Sequence, residues 1–234
     1  PPNWVRPNWV WCVTGHPARR QCGAPFFARF PTLLDSRWLR QFNARVPLDK
    51  LTIIGAGLLG GSIGLAARAR GLARRVSALV RRPESLAECQ ALGIANEVTL
   101  DPAEAVACAD LVVLCTPISG MAGLAKRTLP DLKPGTVITD VGSTKQQLVA
   151  ELTPLCAGAG ARFVGSHPMA GSDQTGPSAA RADLFDGTVC VVTPTSDTDA
   201  DALATVNDFW AGLGSQPVAM PADTHDRLVA RCSH

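Results

Sequence analysis

Three glycines at fixed spacing are the residues of this chain that point most directly to binding chemistry. Gly55, Gly57 and Gly60 form a GxGxxG turn, in which Leu58 and Leu59 fill the last two variable places. In such turns the first glycine permits a tight bend, the second lets the backbone approach a pyrophosphate, and the third lets helix and strand pack closely. The spacing alone is weak evidence, so the flanking elements decide its meaning.

The elements around the turn are those that a dinucleotide site requires. A strand-like apolar run, 51–54, comes directly before it, and a helix-like segment, 61–70, follows. From there onward short β-rich runs alternate with segments of helical period, which predicts an α/β fold: a Rossmann-type, doubly wound, mostly parallel sheet covered by helices. The predicted strands are 51–54, 75–80, 111–115, 137–140, 162–164, 189–192 and 216–219.

Three helix starts are predicted from capping signals. Asp101 is expected to cap a helix that has Pro102 at its first position and Glu104 as the acid of a capping box. Further helices are expected at 199–213 and from residue 222 to the end of the chain.

The end of the second predicted strand bears on the choice of dinucleotide. NAD-selective proteins of this fold carry an acid about 20 residues after the turn, whereas this chain has Arg81 and Arg82. A guanidinium group can hold a 2′-phosphate through charge-assisted hydrogen bonds of roughly 1.5–3 kcal/mol. NADP⁺ is therefore favoured over NAD⁺, and the alternative is that both arginines form a solvated strand end. Thr116 and Pro117, after the strand at 111–115, occupy another usual edge of a dinucleotide cleft.

Two polar segments, 140–145 and 165–174, follow predicted strands and carry side chains that a core does not need. Ligands of open α/β sheets bind outside the carboxyl ends of the strands, so these segments are expected to converge with the glycine turn. Structural alternatives stay open, because Ser143 would also cap a helix that starts near Thr144, and Lys145 is as readily a solvated helix residue as a ligand. The expected cofactor-binding set is Gly55, Gly57, Leu58, Leu59, Gly60, Arg81, Arg82, Thr116, Pro117 and Gly142.

The motifs GAGLLGGS, DVGSTK and GSHPMAGSDQ, in this order and spacing, resemble the prephenate/arogenate dehydrogenase family. The resemblance covers residues 51–234, and residues 1–48 match nothing. It implies oxidative decarboxylation of prephenate to 4-hydroxyphenylpyruvate in tyrosine biosynthesis, with hydride transfer to NAD(P)⁺. Arogenate dehydrogenase is the alternative within the family, because the residues that distinguish the two substrates lie partly beyond His234.

The resemblance also assigns roles to individual residues. It implies that His167 contacts the ring hydroxyl of the substrate as the catalytic base, and that Ser143 supports the same hydroxyl and the histidine. A neutral imidazole suits that role because it titrates near working pH, and such a base contributes about 10²- to 10⁴-fold. Asp173, where many relatives have Glu, is expected at the mouth of the substrate pocket. The expected substrate-binding set is Ser143, His167, Ser172, Asp173, Gln174 and His234.

Three parts are expected along the chain. Residues 1–48 form an irregular or disordered leader, Trp- and Arg-rich and poor in acids, for which an organelle transit peptide is the alternative. Residues 49–220 form the NAD(P)-binding domain, and 221–234 the first helix of a truncated helical domain. In the family that domain supplies an arginine for the substrate carboxylate and the dimer interface, so we expect a homodimer for the full-length relative and poor activity for this chain.

Composition limits the other partners. The net charge is +2 and no long run of Lys or Arg is present, so neither nucleic acid nor a membrane surface is favoured. No apolar stretch approaches the roughly 18 residues that span a bilayer. The eight cysteines lack CxxC spacing, which predicts no metal site and no disulfide framework and suits a reducing cytoplasm. A small-molecule substrate is the expected partner.

Two competing functions remain open from the sequence. A two-domain hydroxyacid dehydrogenase would share the glycine turn and the sheet but usually relies on a lysine from a later helix, and segment 165–174 argues against it. A non-catalytic NAD(P)-binding module needs only the turn, and it would bind the cofactor without turnover.

Overall fold

A computed structural model describes residues 47–232 of the chain. The expectations for residues 1–46 and for His234 therefore lie outside the described residues. The elements in chain order are β1 (Leu48–Ile54), α1 (Leu58–Ala69), β2 (Ala73–Leu79), α2 (Pro83–Ala91), β3 (Glu97–Thr99), α3 (Pro102–Val106), β4 (Leu111–Leu114), α4 (Ile118–Thr128), β5 (Val137–Asp140), α5 (Gln146–Gly158), β6 (Arg162–Phe163), β7 (Gly165–Pro168), β8 (Val189–Thr193), α6 (Ala200–Gly212), β9 (Gln216–Ala219) and α7 (Ala222–Cys232).

Six of the strands form a parallel sheet in the order β3-β2-β1-β4-β5-β6. All five strand pairs in it are parallel, and the α/β, Rossmann-type fold predicted from the alternating pattern is confirmed. The chain builds outward from β1 in one direction through β2 and β3, and in the other through β4, β5 and β6. The carboxyl ends of β1 and β4 therefore mark the point where the strand order reverses, which is where ligands bind in such sheets.

A smaller sheet has the order β7-β8-β9, with β7 antiparallel to β8 and β8 parallel to β9. Strand β7 was not predicted, because segment 165–174 was interpreted as a polar segment that follows a strand. Its residues Gly165, Ser166, His167 and Pro168 have low β propensity, and pairing with β8 overrides that preference. The three-residue edge strand β3 was missed for a similar reason, since so short a run carries no periodic signal.

The large sheet is buried on both faces. Along β4 the side chains of Leu111 and Val113 enter one apolar cluster, and those of Val112 and Leu114 enter the other. Successive side chains of a strand point to opposite faces, so a strand covered on both sides reads as a continuous apolar run. In the described part of the chain, no helix combines the length and the apolar character needed to cross a membrane.

Helix boundaries follow capping chemistry in part. The side chain of Asp101 caps α3 by accepting a hydrogen bond of 2.9 Å from the N–H of Ala103, as predicted. The capping-box role predicted for Glu104 is wrong, because its carboxylate accepts from the hydroxyl of Thr99 instead. That hydroxyl in turn accepts from the N–H of Asp101 at 3.1 Å, so Thr99 takes the place of the predicted partner.

Candidate active site

The segments that follow β1, β4 and β5 open into one cleft of about 620 Å³, which also contains His167 of β7. This volume lies within the usual range for small-molecule sites, and the position at the carboxyl ends of parallel strands is the expected one. The structure thus brings together most of the residues predicted for the cofactor and the substrate. Those that line the cleft are Gly57, Leu58, Leu59, Thr116, Pro117, Gly142, Ser143, His167, Ser172 and Gln174.

Two of the three glycines of the turn are required by the fold itself, and the third leaves open space in the cleft. Gly55 has φ +97°, and a Cβ there would lie 2.9 Å from the carbonyl oxygen of Cys115. A Cβ at Gly60 would lie 2.0 Å from the carbonyl oxygen of Gly55, so only glycine lets helix and strand approach this closely. A Cβ at Gly57 would meet nothing within 4 Å, so the cleft has open space beside this residue that a ligand could fill.

The N-terminus of α1 is suited to a phosphate group. Gly57 is its N-cap, provides no side-chain cap, and is followed by no acidic residue in the first turn. The first N–H groups of a helix lack intrahelical partners and carry partial positive charge, so they favour an anion.

Thr116 gives independent evidence that the cleft holds a polar ligand. Its hydroxyl is buried and has no hydrogen-bond partner among residues 47–232, although Thr116 lines the cleft. A buried polar group without a partner costs roughly 1–3 kcal/mol, and a ligand that supplies the partner removes that cost. Together with the space at Gly57, this hydroxyl shows that the residues present fit a dinucleotide.

Arg81 and Arg82 are exposed and follow β2, the strand next to β1. They therefore lie at the same edge of the sheet as the glycine turn, although they do not line the cleft. Neither arginine forms an ion pair within the described residues, in contrast to Arg74 and Arg75 at the opposite end of the same strand. Contact with a 2′-phosphate stays a prediction.

His167 is partly buried and is linked to a second histidine. Its Nδ1 lies 2.9 Å from Nε2 of His225, and the two rings meet edge-on with centroids 5.1 Å apart. Burial lowers the pKa of His167 to about 4, and the nearby His225 and Lys145 add to this effect. The ring is therefore neutral at neutral pH and can accept a proton.

A buried ion pair lies beneath the cleft. Lys145 and Asp140 are both 0% exposed, and the ammonium group of Lys145 donates to the carboxylate of Asp140 and, at 2.8 Å, to the carbonyl oxygen of Ser166. Burial raises the pKa of the Asp140 carboxyl group, and the ammonium group of Lys145 opposes that rise. Neither reading of Lys145 from the sequence is correct, because it is neither a solvated helix residue nor part of the cleft lining. The sequence feature that could have indicated this ion pair is the presence of both an Asp and a Lys in the DxGSxK motif.

The N-terminus of α5 is capped from another helix. The carboxylate of Asp226 in α7 accepts hydrogen bonds from the N–H groups of Lys145 and Gln146, at 2.8 and 2.9 Å. Helix α5 begins at Gln146 and its N-cap residue makes no side-chain cap, so the capping role considered for Ser143 is not what the structure shows. Ser143 is exposed and lines the cleft instead.

The remaining predicted substrate residues lie on the segment after β7. Ser172 and Gln174 line the cleft, whereas the exposed Asp173 between them does not. The carboxylate of Asp173 accepts a hydrogen bond of 3.2 Å from the hydroxyl of Ser172. Within the described part of the chain, no group of three or more His, Cys, Asp or Glu side chains is arranged to hold a metal ion.

Comparison with known proteins agrees with this geometry. A family model described as the nucleotide-binding domain of prephenate dehydrogenase matches residues 63–219. The cyclohexadienyl dehydrogenase of Zymomonas mobilis is 35% identical over 184 residues, which are 79% of this chain and 62% of that protein.

The chain is also similar to solved structures of prephenate and arogenate dehydrogenases. The prephenate dehydrogenase of Aquifex aeolicus, in complex with hydroxyphenyl propionate and NAD⁺, is 30% identical with a TM-score of 0.73, covering 78% of this chain and 63% of that one. Synechocystis arogenate dehydrogenase is 29% identical with a TM-score of 0.73, covering 79% and 64%. The chain spans between about half and just under two thirds of the length of the relatives it matches.

Proposed function

Because this chain belongs to the prephenate dehydrogenase family, we propose that its cleft serves the oxidative decarboxylation of prephenate to 4-hydroxyphenylpyruvate. One observation carries the proposal: the glycine turn, Ser143 and His167 line a single cleft at the carboxyl ends of the sheet. A dinucleotide-binding turn and a neutral imidazole in the same cleft suit the removal of a hydride from a carbon and of a proton from the hydroxyl that this carbon bears.

Each side chain has a definite part in this proposal. His167, held neutral by its lowered pKa, accepts the proton of the substrate ring hydroxyl. Ser143, exposed in the cleft, hydrogen-bonds the same hydroxyl and orients it. Gly57 and the first turn of α1 bind the pyrophosphate. A bound nicotinamide supplies the hydride acceptor.

NADP⁺ is the cofactor that we propose. The support is the absence of an acid at positions 80–82, directly after β2, and the presence there of Arg81 and Arg82, which are exposed and form no ion pair within residues 47–232. The Aquifex enzyme was solved with NAD⁺, so the preference needs a direct test in this chain.

Calorimetric titration with NADP⁺ and NAD⁺ provides that test. We expect tighter binding of NADP⁺, and a loss of about tenfold for NADP⁺ alone in Arg81→Ala, because one charge-assisted interaction is removed. Arg74→Ala is the matched control, since Arg74 is exposed on the same strand at the end away from the turn and pairs with Asp49. Equal affinity for the two nucleotides would refute the NADP⁺ preference, and failure of the folded protein to bind either would refute the site.

Turnover distinguishes the proposed enzyme from the two alternatives. We expect absorbance at 340 nm to rise when prephenate and NADP⁺ are added, and His167→Gln to abolish the rise while leaving nucleotide affinity unchanged. A faster rise with arogenate would assign the second substrate of the family. Nucleotide binding without product from either substrate, even with the helical domain present, would favour a non-catalytic NAD(P)-binding module.

The proposal extends to assembly and domain organisation. We propose that α7 begins a helical domain that follows the nucleotide-binding domain of residues 49–220, and that this domain provides a homodimer interface. A cytoplasmic location is part of the same proposal, because the substrate is a small polar metabolite. Asp173 and His234 are proposed to contact that substrate when this second domain closes the site.

A further inference from the structure

A line of hydrogen bonds leads from α7 to the proposed base. Nδ1 of His225 lies 2.7 Å from the carboxylate of Asp226, and Nε2 of His225 lies 2.9 Å from Nδ1 of His167. His225 is 1% exposed, so this link is shielded from water. The carboxylate at the far end is itself fixed by the N–H groups of Lys145 and Gln146 at the start of α5.

The chemistry of these groups allows one consistent assignment of protons when both rings are neutral. Burial acts to raise the pKa of Asp226, but hydrogen bonds from Gln146, His225 and Lys145 outweigh it and hold the pKa below its usual range. The carboxylate is therefore ionised and can only accept hydrogen bonds, so Nδ1 of His225 carries the proton and donates. Nε2 of His225 then has the lone pair, and Nδ1–H of His167 must donate to it.

The assignment determines which atom of His167 is the base. Since Nδ1 carries the proton, the lone pair of the ring is on Nε2, which has no hydrogen-bond partner among residues 47–232. His167 lines the cleft, and Nδ1 is turned toward the buried His225. Nε2 is therefore the nitrogen left to accept the hydroxyl proton of a substrate.

We propose that His225 and Asp226 are positioning residues that hold His167 in its Nδ1–H form, with Nε2 free to act as the base. This inference rests on the proposed function and deepens it. The proton leaves the substrate hydroxyl for Nε2 of His167, and Nδ1–H stays on His167. The carbon that bears the hydroxyl loses its hydride to the acceptor that a bound nicotinamide would supply, and the ring carboxylate leaves as CO₂. The positive charge formed on the ring is stabilised by the lone pair of His225 and the negative charge of Asp226, while no proton moves along the line.

Nitrogen NMR of the histidine rings tests the tautomer without substrate or cofactor. In the ¹⁵N-labelled chain at neutral pH we expect His167, identified by its loss in His167→Gln, to show a protonated Nδ1 and an unprotonated Nε2. His225→Phe keeps a ring of similar shape but removes the acceptor, so we expect the proton to move toward Nε2. His225→Gln offers an amide oxygen in place of Nε2 and should restore the Nδ1–H form.

Kinetics provide the second measurement and the control. We expect kcat to fall about tenfold or more in His225→Phe with little change in KM, because the base and not binding is affected, and to recover largely in His225→Gln. Asp223→Asn, on the exposed side of the same helix, should change neither the tautomer nor kcat.

The inference and the proposed function fail in different ways. The inference is overturned if His167 of the wild type carries its proton on Nε2, or if folded His225→Phe keeps the Nδ1–H form. Absence of turnover in a protein that includes the helical domain would overturn the proposed function, while the spectra of this chain would still decide the tautomer.

Discussion

At the scale of single residues, the pair Lys145 and Asp140 shows how much the site depends on a buried charge. Both side chains are fully buried, and Asp140 also accepts hydrogen bonds from the N–H groups of Gly142 and Ser166 at 2.7 and 3.1 Å. One carboxylate thereby holds three groups: the ammonium group of Lys145 and the N–H groups of Gly142 and Ser166. Its function is to fix the ends of β5 and β7, since neither charged group lines the cleft.

Removing one partner of this pair should be costly. We expect Lys145→Met to lower the free energy of unfolding by about 3–5 kcal/mol, because a carboxylate is left buried without its counter-charge. The double variant Lys145→Met/Asp140→Asn should recover part of the loss. Urea unfolding at pH 7 measures both.

The control for this prediction is an ion pair at the surface. Lys133→Met removes the partner of Asp110, whose side chain is 26% exposed against 43% for Lys133. That loss should stay within about 1 kcal/mol, because exposed pairs contribute little. Equal losses in the two lysine variants would contradict the role given to burial.

His167 should make stability depend on pH. Burial and the neighbouring His225 and Lys145 place the pKa of His167 at about 4 in the folded protein, below the ordinary value near 6.5, while Asp226 acts in the opposite sense. The unfolded chain therefore binds more protons between these values, and stability present above pH 6.5 is lost as the pH falls toward 4. After allowance for partial exposure we expect roughly 1–2 kcal/mol from this residue.

The comparison that isolates this contribution is with His167→Gln, which cannot titrate. The difference in unfolding free energy between wild type and variant should shift by that amount, against the wild type, between pH 7 and pH 4.5. A difference that is constant over this range would mean that His167 is not held neutral by its surroundings.

At the scale of elements, the turn between β1 and α1 contains one glycine that the fold requires and another that ligand binding is proposed to require. Gly60→Ala should lower the free energy of unfolding by about 1–3 kcal/mol or more, since its Cβ would lie 2.0 Å from a backbone oxygen that cannot yield. Gly57→Ala should leave stability within about 0.5 kcal/mol, because its Cβ meets no protein atom within 4 Å and its backbone is extended.

Gly57→Ala should weaken nucleotide binding although it leaves the fold stable. In Gly57→Ala we expect nucleotide affinity to fall about tenfold or more, because the added methyl group takes the space where the pyrophosphate is proposed to lie. Calorimetry on the two variants, combined with their thermal unfolding, gives the comparison. Unchanged affinity in Gly57→Ala would place the phosphates elsewhere.

The elements that the sequence predicted are those whose local pattern and tertiary environment agree. Strands β1, β4 and β5 are buried on both faces and are therefore largely apolar, so they could be predicted from short apolar runs in the sequence. Strand β7 was missed because its pairing with β8, and not its own residues, makes it a strand. The links from Asp226 to α5 and from His225 to His167 join residues about 80 and 58 positions apart, and no local pattern could indicate them.

At the scale of the whole molecule, stability is expected to be unequal. The six-stranded sheet lies between two apolar clusters, whereas His225 is the only buried residue among positions 222–231 of α7. Regions with few buried contacts open at lower free energy than the core. Helix α7 should therefore exchange its amide hydrogens well before β1 and β4 do, although it carries two of the three members of the proposed hydrogen-bond line.

Asp226 should control that opening. Asp226→Ala removes a charged acceptor of two hydrogen bonds that the N–H groups of Lys145 and Gln146 donate at the start of α5. Each bond is worth about 1.5–3 kcal/mol, so amide exchange in α7 should accelerate about 10²- to 10⁴-fold while exchange in β1 and β4 is unchanged. Asp223→Ala, which removes an exposed pair with Arg227 and a 3.4 Å hydrogen bond from the hydroxyl of Thr224, should accelerate it less than about fivefold. Hydrogen-exchange mass spectrometry distinguishes the two. Similar acceleration in both variants would mean that α7 is held by its general packing, and that the link from α7 through Asp226 to α5 does not keep His225 against the cleft.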